Sequence, residues 1–288
     1  MNRSRVAVII PCFNAERYIG LTMESVFAQT YDTFHVIAVN DGSTDSTAAI
    51  LSAYSDRITI LAHEDNGNHG QGAALNLGLR HTDADYIAFL DNDDLWHPDK
   101  LRKQVEVLDG FENVGLVYTN GSVIDGEGEF IYPLFKEDHY ETNDVGAILL
   151  DCYIRTPSIV MVRRSILNAV GLFAVEIIPD HDMWIRFTER TQLYYLKETL
   201  TYYRQHAGQL SILRQKNMWT QGFMTLREAS RRYPYSLKIR RKRRAVINYR
   251  LGEYATHEGK YIAAAYHFVR AFLNDPLRAI KNIKRILQ

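Results

Sequence analysis

Cysteine is nearly absent: Cys12 and Cys152 are the two in 288 residues, far apart and without metal-ligand spacing. They offer no basis for a disulfide framework, and a reducing, cytoplasmic compartment is the expectation. An excess of charge is missing too. The 34 Lys and Arg balance 34 Asp and Glu, so the whole chain has no electrostatic bias toward nucleic acid or membrane. No apolar run approaches the roughly 20 residues that a membrane span needs. The N-terminal run is only Val6–Ile10, rich in β-branched residues and ended by Pro11. It reads as a first buried strand, not as a signal peptide.

What is present has the balance of an ordinary folded protein, 46% hydrophobic and 24% charged. Short β-branched runs alternate with helical patterns through the first hundred residues. Val6–Ile10, Val36–Val39, Ile58–Leu61 and Tyr86–Leu90 read as strands. Between them fall a helix carrying Ile19, Met23, Val26 and Phe27 with Asn14 as its N-cap, a helix over Asp45–Tyr54, and a Gly-punctuated helix around Gly72–Arg80. Pro98 opens a fourth helix with Leu101, Val105 and Leu108. This order predicts a doubly wound, mostly parallel α/β sheet. Further on, Gly115–Ile124 and Ile159–Val162 read as strands, Asp125–Thr142 as a loop, Pro179–Arg190 as a helix, and Leu193–Tyr203 as paired short strands. Beyond about Leu210 the chain turns helical and basic, which sets a boundary between residues 1–210 and a small helical region, 211–288.

Ligands of open parallel sheets bind at the carboxyl ends of the strands. Here those ends carry Pro11-Cys12-Phe13-Asn14, Asn40-Asp41-Gly42-Ser43 and Asp91-Asn92-Asp93-Asp94. Three carboxylates within four residues at the end of a hydrophobic strand belong in solvent or on a cation, because unpaired buried charge is costly. Asp91 and Asp93 leave the strand end on the same side. One can ligate Mg2+ or Mn2+ while the other takes ribose hydroxyls. The plainer alternative is that the acidic residues cap the helix that Pro98 opens.

Ile9 through Asn14, Asn40 through Asp45, Gly70 through Asn76 with Gly78, and Phe89 through Asp94 follow one another in an order and spacing that resembles the family-2 glycosyltransferases of the GT-A fold. The resemblance spans roughly residues 5–210. It implies a nucleotide-diphospho-sugar donor, inversion at the anomeric carbon and a divalent ion, Mn2+ or Mg2+. By position, Asp41 resembles the carboxylate that reads the base, Asp91 the ribose contact and Asp93 the metal ligand. Pro11, Phe13, Asn14 and Asn76 would line the nucleotide site. The family often has Arg before the Asn of the Gly-rich segment, where this chain has Leu75.

An inverting transfer also needs a base for the acceptor hydroxyl. In Pro179-Asp180-His181-Asp182-Met183-Trp184, Asp180 falls at the place of the family's catalytic base, although the usual preceding Glu is Pro179. The local alternative is that Asp180 caps the following helix. Trp184 reads as core. Tyr203 through Ser211 resembles the segment in which family members place a His near metal and diphosphate, which makes His206 a second candidate ligand. The Gln-x-x-Arg-Trp segment of processive synthases is not found, which argues for one sugar added at a time to a saccharide or lipid-linked acceptor.

The tail holds a basic run, Lys238–Arg244, and a second basic set, Arg278, Lys281, Lys284 and Arg285, among Leu277, Ile280, Ile283, Ile286 and Leu287. Such an amphipathic cationic helix can lie on an anionic bilayer, here the inner membrane face, or pack on the catalytic domain. Nucleic acid is a poorer partner, since no reading module is recognisable. Leu251-Gly252, Ala264, Phe268, Ala271 and Pro276 match the spacing of one tetratricopeptide unit, a single helical hairpin. Two other functions remain open. A nucleotidyltransferase would carry a Gly-rich basic loop where Pro11–Asn14 stands, and a non-catalytic nucleotide-sugar-binding scaffold would not need Asp180 beside Asp41, Asp91 and Asp93.

Overall fold

Every residue of the central strand β1 (Val6–Cys12) is buried, as expected for a strand covered on both faces. β2 (Phe34–Asn40) and β4 (Tyr86–Phe89) flank it in parallel, and β3 (Thr59–Ala62) extends the parallel set beyond β2. In this computed structural model, residues 4–175, 179–209 and 215–278 are described. They divide into two compact units. The first comprises the chain to Asn143 with Ile154–Val175 and Pro179–His206; the second takes in Asp144–Tyr153 and the chain from Ala207.

The first unit is a mixed α/β sheet in the order β3-β2-β1-β4-β8-β6-β9-β5, with β7 paired to β6. Its later strands are β5 (Leu95–Trp96), β6 (Val114–Ile124), β7 (Phe130–Pro133), β8 (Val160–Arg163) and β9 (Gln192–Arg204). β6 and β9 run parallel, while β8, β5 and β7 pair antiparallel with their neighbours. Successive strand residues point to opposite faces, and helices cover both. α1 (Ile19–Phe27), α2 (Thr47–Ser52) and α4 (Lys100–Gly110) place Ile19, Met23, Leu51, Leu101 and Leu108 over Val8, Ile10, Val36 and Ala38. On the other face α3 (Gln71–Arg80) sets Ala74 and Leu77 on Ile37 and Val39. A doubly wound sheet is what the alternating pattern predicts.

Several local expectations are corrected. Asn14 does not cap α1, which starts at Ile19 with Tyr18 in the flanking position. Asn14 has a positive φ of 47°, a conformation Asn tolerates better than most residues, and its side-chain oxygen accepts from the Thr44 N–H at 2.8 Å. Leu193–Tyr203 is not a pair of short strands but part of the single strand β9. Opposite β6 its register shifts between Leu196 and Thr199, so Lys197 and Glu198 bulge out, which explains the polar break in the sequence. The stretch over 125–142 contains β7, held by Asp125 N–H to Glu129 O at 2.9 Å. α4 begins at Lys100, after Pro98 has used its carbonyl to accept from Thr30 N–H at 2.9 Å. α6 (Arg164–Val170) and α7 (Pro179–Thr188) complete the unit.

The second unit contains α5 (Val145–Leu150), α8 (Gln215–Arg232), α9 (Leu237–His257) and α10 (Tyr261–Asn274). The sequence boundary near 210 leaves α5 with the preceding domain. The structure groups it with α9 instead, because Gly146 lets Ile239 approach and the Leu150 carbonyl accepts from Arg243 Nη1 at 3.0 Å. α9 and α10 form a hairpin in which Phe268 fills the space left by Gly252.

Candidate active site

Because β1, β2 and β4 are parallel and in register, their carboxyl ends open on one edge. Cys12 lies opposite Asn40, and Ile9 opposite Phe89. β4 therefore stops two residues before Pro11 is reached, and the side of β1 that would need a Pro11 N–H has no ladder to fill. The Pro11 carbonyl instead accepts from Asn92 Nδ2 at 2.8 Å, tying the first strand end to the acidic turn. Phe13 is exposed beyond the strand end.

Asp41 is 2% exposed and both of its oxygens are engaged. His69 N–H donates to Oδ1 at 2.9 Å and Gly70 N–H to Oδ2 at 2.8 Å. Gly42 permits this closeness: at φ 73° a Cβ there would lie 2.6 Å from Asn68 N. His63 Nε2 is 3.4 Å from Asp41 Oδ1, and its ring lies 4.2 Å from that of His69. The next residue, the first of α3, reaches the other strand end, with Gln71 Nε2 donating to Asp91 Oδ1 at 2.7 Å. The Gly-rich segment thus bridges Asp41 and Asp91. Asn76 stands apart from this group. Its amide oxygen accepts from Phe173 N–H and its amide nitrogen donates to Phe173 O, both at 2.8 Å, and it is buried. That reciprocal pair ties α3 to the segment before α7.

The acidic turn is held by groups that sequence reasoning missed. Thr156 Oγ1 lies 3.0 Å from Asp91 Oδ2 and 3.4 Å from Asp94 Oδ2, while Asp91 N–H donates to Ser158 Oγ at 2.9 Å. Both hydroxyl residues are buried. Arg204, 1% exposed, grips the turn from the other side. Its N–H donates to Asp94 Oδ1 and its Nε to Asp93 O, each at 2.9 Å, and its guanidinium lies 4.7 Å from the Tyr18 ring. The only sequence signal for Thr156 and Ser158 was two hydroxyls leading into the apolar run Ile159–Val162. Arg204 was a cation two residues before His206.

Burial and mutual repulsion mark the cluster. Burial, then the charge of Asp93, pushes the Asp91 carboxyl up to about 7, and Asp180 adds to the push. Burial raises Asp94 well above the carboxylate range, with Asp93 and Asp91 contributing. Asp180, in the first turn of α7, is raised by burial although the His181 N–H at 2.8 Å opposes the shift. Asp180 is therefore within electrostatic reach of Asp91. Its neighbours do other work: Asp182 accepts from Arg186 Nε at 2.9 Å inside the helix, and Trp184 is core, 0% exposed against Phe89, Phe173 and Phe187.

His206 Nε2 meets Asp93 Oδ2 at 2.9 Å, and both side chains are partly exposed. Among the described residues no three His, Cys, Asp or Glu side chains are grouped to hold a metal ion. The donor set nevertheless fits a cation shared with a ligand. An oxygen and an imidazole nitrogen stand side by side at the open edge of a turn with three carboxylates, and hard divalent ions routinely complete their shell with phosphate oxygens and water.

Comparison with known proteins gives the chain's family and its fold. A family model described as glycosyl transferase family 2 matches residues 7–171. An uncharacterised glycosyltransferase of Rickettsia prowazekii is 31% identical over 215 residues, covering 71% of this chain and 65% of its own length. The Escherichia coli UDP-Glc:alpha-D-GlcNAc-diphosphoundecaprenol beta-1,3-glucosyltransferase WfaP is 30% identical over 220 residues, covering 74% of this chain and 84% of its own. Among solved structures, the mannosyltransferase PcManGT of Pyrobaculum calidifontis, in complex with GDP-Man and Mn2+, superposes with a TM-score of 0.62 at 17% identity, covering 99% of this chain and 80% of that one.

Proposed function

The chain belongs to glycosyl transferase family 2, and we propose that it is an inverting glycosyltransferase of the GT-A fold that takes a sugar from a UDP-sugar to a hydroxyl acceptor. One observation carries the reading: His206, 113 residues on in sequence, contacts Asp93 of the acidic turn Asp91–Asp94, and Asp180, from the first turn of α7, acts electrostatically on Asp91 of the same turn. Asp41, with the His69–Gly70 loop it organises, is the base side of the donor pocket, beside Pro11, Phe13 and Asn14. Asp91 takes the ribose. Asp93 and His206 would hold a divalent ion, Mn2+ or Mg2+, whose charge offsets that of the donor diphosphate.

In the transfer, Asp180 accepts the proton of the acceptor hydroxyl as that oxygen bonds to the anomeric carbon. The bond from that carbon to the diphosphate breaks, and its electron pair leaves with the nucleoside diphosphate. A carboxylate raised by burial is a stronger base than one in water, which suits this task. A saccharide on a lipid diphosphate is the favoured acceptor class, supported by the name of the Escherichia coli relative. One sugar is added per encounter. The test is sugar release from UDP-, GDP- and dTDP-sugars with and without Mn2+. Release from a UDP-sugar that requires the ion is expected; inertness toward all donors under every condition would refute the reading.

A further inference from the structure

The second unit is strongly polarised in charge. Residues 207–288 contain 18 Lys and Arg against four Asp and Glu, in a chain whose total is zero. Helix α10 adds a second asymmetry. Its inner face packs on α9 through Ala264, Phe268 and Ala271, with His267 Nδ1 3.1 Å from Asn248 Oδ1. Its outer face presents Ile262, Tyr266, Val269 and Leu273, spaced by three and four residues and exposed at 90%, 58%, 57% and 60%. Phe272 is exposed beside them. α10 contains no acidic residue, and its one Lys or Arg is Arg270. One cation of α9 lies against its far end, where Arg241 Nη2 donates to the Leu273 carbonyl at 2.8 Å.

A helix face of this kind, left open to water, is the mark of an interaction surface. A basic run beside it selects for a negative counter-surface. We propose that the outer face of α10 seats on an anionic lipid bilayer, with Ile262, Tyr266, Val269 and Leu273 at the acyl boundary and the exposed cations Lys238, Arg241 and Arg244 of α9 over the headgroup phosphates. This surface precedes the Leu277–Gln288 stretch that the sequence pattern singles out, most of which lies outside the described residues. It is independent of the glycosyl-transfer reading, since lipid binding is measured without turnover.

The test is flotation of the full chain with vesicles of phosphatidylcholine, alone or mixed with phosphatidylglycerol, at low and physiological salt. The chain should float with the mixed vesicles, several-fold less with neutral ones, and less as salt rises. Ile262→Asp with Val269→Asp should weaken flotation at least about tenfold, and Lys238→Glu with Arg244→Glu should do the same, since each cation near such a surface strengthens binding about fivefold. Four results would overturn the proposal. The first is no binding to mixed vesicles, and the second is undiminished binding by the Ile262/Val269 variant. The third is a sharp fall in that variant's melting temperature, which would mean that the face packs within the chain. The fourth is a dimer by light scattering that the variant dissociates, which would assign the face to a second copy.

Discussion

His206 Nε2 and Asp93 Oδ2 lie 2.9 Å apart across 113 residues of sequence. The contact joins the end of β9 to the turn after β4, and on the function proposed above the pair would hold the cation. His206→Ala should leave the melting temperature unchanged while weakening UDP binding in Mn2+ roughly 10- to 150-fold, the scale of losing one charged contact of about 1.5–3 kcal/mol. Calorimetry with and without EDTA reads this directly. Equal affinity for the two proteins in Mn2+ would remove His206 from the ligand set.

Asp180 sits in the first turn of α7, raised by burial and within reach of Asp91. Asp180→Asn should hold UDP-sugar as tightly as the wild type and turn over roughly 10²–10⁴-fold more slowly. Donor binding that collapses together with turnover would make Asp180 a ligand or a structural group instead.

Thr156 shares its hydroxyl between Asp91 and Asp94. Thr156→Val keeps the shape and removes the donor, so donor affinity should fall by about tenfold, near 1.4 kcal/mol. Thr156→Ser should recover most of it. If the serine variant is as impaired as the valine one, the methyl packing of Thr156 matters and its hydroxyl does not.

Asp91 gives a pH dependence of defined sign. Its folded carboxyl, raised to about 7, holds a proton that the unfolded chain releases near 3.9. The stability it contributes is therefore largest below pH 4 and declines as pH rises toward 7. Urea denaturation of wild type and Asp91→Asn at pH 5, 6, 7 and 8 should show a steeper loss between pH 5 and 7 in the wild type. Parallel curves would show that Asp91 titrates normally.

Gly78 faces Ile9, and a Cβ there would stand 2.6 Å from Ile9 Cγ2. Gly78→Ala should cost about 1–3 kcal/mol of stability through overpacking of α3 on β1. Denaturant midpoints decide it. A neutral or stabilising result would mean that α3 can shift away from the sheet at little cost.

The legibility of this protein in sequence follows the range of the interactions involved. Buried parallel strands demand unbroken apolar runs and helices demand a 3.6-residue period, so Val6–Ile10, Tyr86–Leu90 and the helices between them were readable locally. The acidic turn was readable for the same reason: an apolar strand that ends in Asp91-Asn92-Asp93-Asp94 must offer those charges to something. What lay beyond reach were contacts between segments far apart in the chain. No local pattern says that Thr156 and Arg204 clamp the acidic turn, that Asn76 is used by the Phe173 backbone, or that α5 groups with α9. Nor does any say that Lys197 and Glu198 interrupt one long strand instead of separating two. By itself the sequence determined the layered α/β sheet and the carboxylates at its edge, because each is written in neighbouring residues. Only the tertiary structure decided which buried hydroxyls, amides and cations hold those carboxylates in place, because a hydrogen bond depends on ångström distances that folding alone sets.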